Sequence, residues 1–165
     1  MLTDLQKLET YKMLGLISLC SGGGEHKIKW AMYLLENYIE SENLAILATL
    51  LKPINEFEVD EYFNSVLREL GISMPSRSQA IEGYAKVLVK EVIERSISLE
   101  SVASKIYEVN VQLGYLKKLR EFTVLEDEWY CEHINGWSKK QREEEIIKAS
   151  KAAYETLNYP KIFKA

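Results

Sequence analysis

The stretch SRSQAIEGYAKVLVKEVIERSISLESVASKIYEVNVQLG, residues 76–114, decides the fold. Ser76 is followed three residues later by Gln79, the pattern in which a serine hydroxyl and a glutamine amide cap a helix start reciprocally. Ala80, Ile81, Tyr84, Ala85, Leu88, Val89, Val92 and Ile93 then recur at helical spacing and make the longest apolar stripe in the chain. Ser98 opens a second stripe through Val102, Ala103, Ile106, Tyr107 and Leu113, and Gly114 closes it. Two helices joined by so short a turn are expected to form an antiparallel hairpin, with the first of them central.

Towards the N-terminus the same signals repeat. Leu2, Leu5 and Leu8 stand at helical spacing behind the cap residues Thr3 and Asp4, and the helix is expected to run to Leu19, where Ser21, Gly22, Gly23 and Gly24 end it. A second helix from Glu25 is expected to bury Ile28, Met32 and Leu35, with Trp30, Tyr33 and Leu34 widening the face and Tyr38 near its end. Ser41 caps a short helix through Leu44, Leu47, Ala48 and Leu51, stopped by Pro53. Asn55 with Glu58 reads as the next cap. Val59, Tyr62, Phe63, Val66, Leu67 and Leu70 trace one face behind it, and Glu56, Glu58, Asp60 and Glu61 favour its positive end. Gly71 suits a left-handed C-cap.

Beyond Gly114 the periodicity weakens. Leu116, Leu119 and Phe122 suggest one more short helix, residues 122–125 are the only segment that also reads as a strand, and Asn135 with Gly136 marks a turn. Ser138 with Gln141 caps a last helix that turns Ile146, Ile147, Ala149, Ala153, Tyr154 and Leu157 inward and the pair Glu144 and Lys148 outward. Residues 159–165 form a short tail. The expectation is an all-α chain, one compact domain over residues 1–165, of seven or eight helices packed as antiparallel hairpins.

Composition bounds the class. With 165 residues, 47% hydrophobic and 28% charged, three prolines and eight glycines, the sequence is ordinary globular material without a disordered linker. Cys20 and Cys131 are too few for a disulfide framework and fit a reduced, cytoplasmic, bacterial-type protein. Residues 13–20 resemble a signal core, but Asp4 and Glu9 spoil a basic leader, Leu19 is too large to precede a cleaved cysteine, and the run is too short to span a bilayer. A net charge of -4 and a pI near 5.4 argue against nucleic acid, whose phosphates need a clustered basic face.

That charge has an address. Residues 121–133 carry Glu121, Glu126, Asp127, Glu128 and Glu132 with no lysine or arginine, beside Phe122, Trp129 and Tyr130, with Trp137 close behind. One reading has Lys117, Lys118 and Arg120 on one side and Lys139, Lys140 and Arg142 on the other neutralising the stretch, with both tryptophans in the core. The other has exposed aromatics in an acidic patch that meets a basic partner. On the second, Glu126, Asp127, Glu128, Trp129, Tyr130, Glu132 and Trp137 are the partner-binding residues. The expected function is non-enzymatic protein binding, of the kind an immunity or antitoxin protein performs, by analogy of size and charge.

Two alternatives stand beside it. Gly23, Gly24, His26 and Lys27 offer helix N-terminal amides and bases to an anion, without the phosphate-loop spacing and with Glu25 opposing. An enzyme whose residues converge from distant helices is the other. No catalytic residue, cofactor or metal site is expected: Glu126, Asp127, Glu128, Glu132 and His133 lack a diagnostic ligand spacing, and Cys131 and His133 point apart on a helix.

Overall fold

A computed structural model describes residues 2–20, 22–50, 52–130 and 135–164. The chain is all-α, 72% helical. Among the described residues there are eight α-helices: α1 (Asp4–Leu19), α2 (Gly24–Glu36), α3 (Glu42–Thr49), α4 (Glu56–Glu69), α5 (Arg77–Ile93), α6 (Leu99–Gln112), α7 (Glu121–Tyr130) and α8 (Lys139–Thr156). A single 3-10 turn, Lys117–Leu119, precedes α7. The contacts group into two compact units, residues 1–80 with 160–165 and residues 81–159.

The caps read from the sequence set the helix starts. Thr3 with Gln6 and Ser138 with Gln141 form complete capping boxes, and Ser76 with Gln79 exchanges the same two bonds at 3.0 and 3.4 Å. Ser41 accepts from the Leu44 N–H. Two caps differ. Asn55 accepts from Phe57 rather than Glu58, and Ser98 makes no side-chain cap bond. Gly71 and Gly114 take the left-handed conformation, φ 64° and 69°, that ends α4 and α6.

In the first unit α2 packs on α1, α3 and α4. Its buried face differs from expectation: Lys27, Ile28, Trp30, Ala31 and Leu34 are buried, whereas Met32 is 43% exposed. Residues 30–35 are apolar almost without interruption, so periodicity alone does not choose the face and packing does. Leu5 is likewise exposed, and Gln6 and Thr10 hold the interior of α1. They are satisfied there: Thr10 donates to the Gln6 carbonyl at 2.7 Å, the Trp30 indole donates to Thr10 at 3.0 Å, and the Gln6 amide donates to the Asn37 carbonyl at 2.9 Å. The tail docks on this unit. Ser73 donates to the Ile162 carbonyl, Lys164 to the Gly71 carbonyl, and the Phe163 ring meets Tyr11 edge-on at 5.4 Å.

In the second unit α6 packs on α7, and α7 on α8, with the 3-10 turn against all three. The buried residues include Val102, Ala103, Ile106, Val109, Leu119, Phe122, Leu125, Ile146, Ala149 and Ala153. The stripe of α5 is buried as expected, with Ile81, Ala85, Leu88, Val89 and Val92 at most 1% exposed. Residues 122–125 are helical, because Phe122, Leu125 and Glu128 all turn inward at a spacing of three. Glu144 pairs with Lys140, and Lys148 with Glu145, in place of the expected Glu144 and Lys148 pair.

Candidate functional site

The glycine connector builds a site and then fills it. Gly22 and Gly23 adopt φ of 86° and 90°, which turns the chain so that Gly24 opens α2 with its N–H outward. That N–H donates to both oxygens of the Glu56 carboxylate, at 3.2 and 3.1 Å. One turn further along each helix, Lys27 meets Asp60 at 2.5 Å and lies 5.5 Å from the centre of the Phe63 ring. The amide of Gly24 and the ammonium of Lys27, two of the groups expected to receive an external anion, are therefore taken by carboxylates of α4. Lys27 is only 6% exposed. Of that set, His26 lines a separate cavity of about 180 Å³ with Glu9, Lys12, Lys29, Trp30 and Tyr33. Cys20 is exposed, and its thiol donates to the Leu16 carbonyl.

Residues 121–130 of the acidic stretch form α7, and the helix sorts them. Asp127 and Tyr130 face outward with Glu121 and Val124, Glu126 is half-buried, and Glu128 is fully buried. Glu128 thus leaves the partner-binding set, because the three-residue spacing that buries Phe122 and Leu125 carries it inward too. Its carboxylate accepts from the Asn135 amide, and its backbone carbonyl accepts from Arg142 at 3.0 Å. The Arg142 guanidinium lies 5.1 Å from the Trp129 ring centre. Trp129 is half-buried, with that cation over its ring. Trp137 is half-buried and lines a cavity of about 230 Å³ with Val124 and Leu125. Glu132, with Cys131 and His133, lies outside the described residues.

What remains outward on α7 lies beside Tyr107 of α6 and Tyr115 of the turn that follows it. The Tyr130 hydroxyl is hydrogen-bonded to Ser104 at 2.7 Å. Tyr115, through its hydroxyl and its negative field, then burial, Glu126 and Asp127, raise the Tyr107 phenol pKa above its ordinary value. Tyr130 is 66% exposed and Tyr115 60%. Neither Glu126 nor Asp127 forms an ion pair among the described residues.

Beside this face lies a cavity of about 480 Å³ lined by Asn110, Tyr115, Lys117, Arg120, Thr123 and Val124. Its shape comes from the turn after α6: Gly114 and Tyr115 are both left-handed, the Tyr115 N–H returns to the Asn110 carbonyl at 2.8 Å, and the 3-10 turn sets Lys117 and Arg120 three residues apart. Lys118 turns away to Glu82. Sequence reading missed this cavity because the basic run looked like neutralising charge for the acidic stretch. Gly114 is legible as a left-handed stop, but the left-handed tyrosine after it leaves no sequence signature.

No protein-family model matches the chain, and neither do the curated proteins or the solved structures.

Proposed function

We propose that this chain is a non-enzymatic protein-binding domain that presents the outer face of α7, with Tyr107 of α6 and Tyr115 of the turn after it, to a basic partner, as an immunity or antitoxin protein does. The observation that carries the reading is the exposed Tyr130, held by its hydroxyl on Ser104, together with Glu126 and Asp127, which have no ion pair among the described residues. Tyrosines fixed before contact lose little side-chain freedom on binding and supply large amphipathic area. Carboxylates without internal partners keep their field for an incoming cation. Glu126, Asp127 and Tyr130 are kept from the sequence reading, and Tyr107 and Tyr115 are added. The test is a pull-down from native lysate with mass spectrometry, followed by binding kinetics of Asp127→Lys and Tyr130→Ala against the protein recovered. A partner that binds both variants with unchanged rates removes this face from consideration.

A further inference from the structure

We infer that the cavity between the α6 turn and α7 is a binding site for a small organic anion that carries a hydrogen-bond donor, its carboxylate or phosphate held by Arg120 and Lys117 and its donor by the amide of Asn110. Three observations converge. The cavity, about 480 Å³, is within the range of small-molecule sites. Two of its lining residues are cations, Lys117 and Arg120, and neither has an ion pair among the described residues, although Lys118 beside them does. A planar guanidinium takes a carboxylate or phosphate through two parallel bonds, which fixes orientation as well as charge.

The third observation selects the other end of the ligand. Asn110 lines the cavity, is 1% exposed, and its Oδ1 has no hydrogen-bond partner, while its Nδ2 donates to the Leu119 carbonyl at the long distance of 3.5 Å. A buried amide oxygen of this kind is satisfied by a donor, so the occupant brings an N–H or O–H as well as its anion. Tyr115 and Val124 give the body between the two ends an aromatic and an aliphatic surface, and the Thr123 hydroxyl adds a polar contact. The site adjoins the acidic, tyrosine-bearing face and shares Tyr115 with it, but it does not depend on a protein partner.

Titration of the isotope-labelled chain by nuclear magnetic resonance tests this without a partner, so its failure leaves the protein-binding reading standing. The probes are para-aminobenzoate, benzoate and aniline, with para-aminophenyl phosphate as the phosphate arm. The expected result is saturable perturbation of the Asn110 side-chain amide and of the Thr123 and Val124 amides. One anion binds tightest, and which of the two does so separates carboxylate from phosphate. Benzoate, which lacks the donor, binds about tenfold more weakly, as the loss of one hydrogen bond of about 1.4 kcal/mol dictates. Aniline, which lacks the anion, does not saturate. Arg120→Gln and Lys117→Gln, both at exposed positions, weaken the better anion about tenfold each and leave the amide spectrum folded. No saturable shift at Asn110 with either amino-bearing anion, or equal binding of benzoate and para-aminobenzoate together with unchanged affinity in Arg120→Gln, overturns the assignment.

Discussion

Glu56, the first residue of α4, caps Gly24, the first residue of α2, through both carboxylate oxygens at 3.2 and 3.1 Å. A carboxylate at a helix N-terminus contributes about 0.3–1 kcal/mol at an exposed site and up to about 2 kcal/mol when partly buried. Glu56→Gln keeps the shape but loses the charge, and its expected cost is about 0.5–1 kcal/mol. Gly24→Ala would place a Cβ 2.9 Å from both Glu56 Oε1 and Ile54 Cγ2, pushing the carboxylate off the amide for about 1–2 kcal/mol. Both changes remove one contact, so the double variant should cost less than their sum. Urea melts of the three variants read this, and strict additivity refutes the cap.

Leu88 is 1% exposed near the middle of α5, so Leu88→Ala leaves a cavity and is expected to lower stability by about 2–5 kcal/mol. Leu5→Ala is the contrast: Leu5 is 69% exposed despite sharing a sequence stripe with Leu2 and Leu8, and its truncation should stay within about 0.5 kcal/mol. Comparable midpoints for the two variants in urea would show that the burial assigned to α5 is wrong.

That contrast marks how far the sequence was legible. The helix starts at Thr3, Ser41, Ser76 and Ser138 and the stops at Gly71 and Gly114 follow from bonds within four residues, and such local chemistry is written in the sequence. Which face turns inward is decided by neighbours far along the chain. It was readable for α5, where apolar residues leave little choice, and unreadable for α2, where seven apolar residues between Ile28 and Leu35 surround the helix. The candidate site divides in the same way. Asp127 and Tyr130 face outward and Glu128 inward at a local three-residue spacing, but the groups that receive Glu128, Asn135 and Arg142, lie farther along the chain, and the capture of Lys27 by Asp60 depends on a helix more than thirty residues away.

Tyr84 gives the chain a stability signature at high pH. It is 7% exposed, and burial, with smaller contributions from Glu91 and Glu108, pushes its phenol up to about 12 from an ordinary value of 10.0. A pKa raised in the folded state means that the folded chain holds the proton after the unfolded chain has released it. The resulting stability is fully present below pH 10 and is lost as pH rises through about 12, at no more than about 1.4 kcal/mol per pH unit. Tyr84→Phe should flatten this part of the dependence, followed as urea midpoints between pH 10 and 12 beside phenolate absorbance. An unchanged slope in the variant would assign the loss to Tyr11, Tyr33 or Tyr107, whose phenols are also raised.

Arg142 is 8% exposed, donates to the Glu128 carbonyl at 3.0 Å and covers the Trp129 ring. Arg142→Ala therefore leaves a buried carbonyl short of a donor beside the buried Glu128 carboxylate, and a cost of about 2–4 kcal/mol is expected. Lysine should rescue little of it, since a flexible ammonium does not reproduce a planar cation stacked on an indole. Thermal melts decide the matter. Full rescue in Arg142→Lys would reduce the contact to charge alone.

The last prediction separates steering from folding on α7. Asp127 is exposed and Glu126 half-buried, and neither has an ion pair among the described residues, so Glu126→Lys with Asp127→Lys should alter stability by no more than about 0.5–1 kcal/mol. Glu128 stays unchanged in this variant, because a lysine at a position with no exposure would unfold the helix and mimic a loss of binding. Against a basic partner the reversal of two charges should slow association about tenfold or more at low salt, and the difference from the parent should shrink as salt shortens the screening length to about 8 Å. Dissociation should change little. Tyr130→Ala should do the reverse, because it removes contact area and the Ser104 bond while leaving the field intact, so the complex should fall apart faster at nearly the same association rate. Stopped-flow association and surface-based dissociation, each at two salt concentrations, distinguish the two effects. If the charge reversal acts only on dissociation, the acidic residues contribute contact rather than steering.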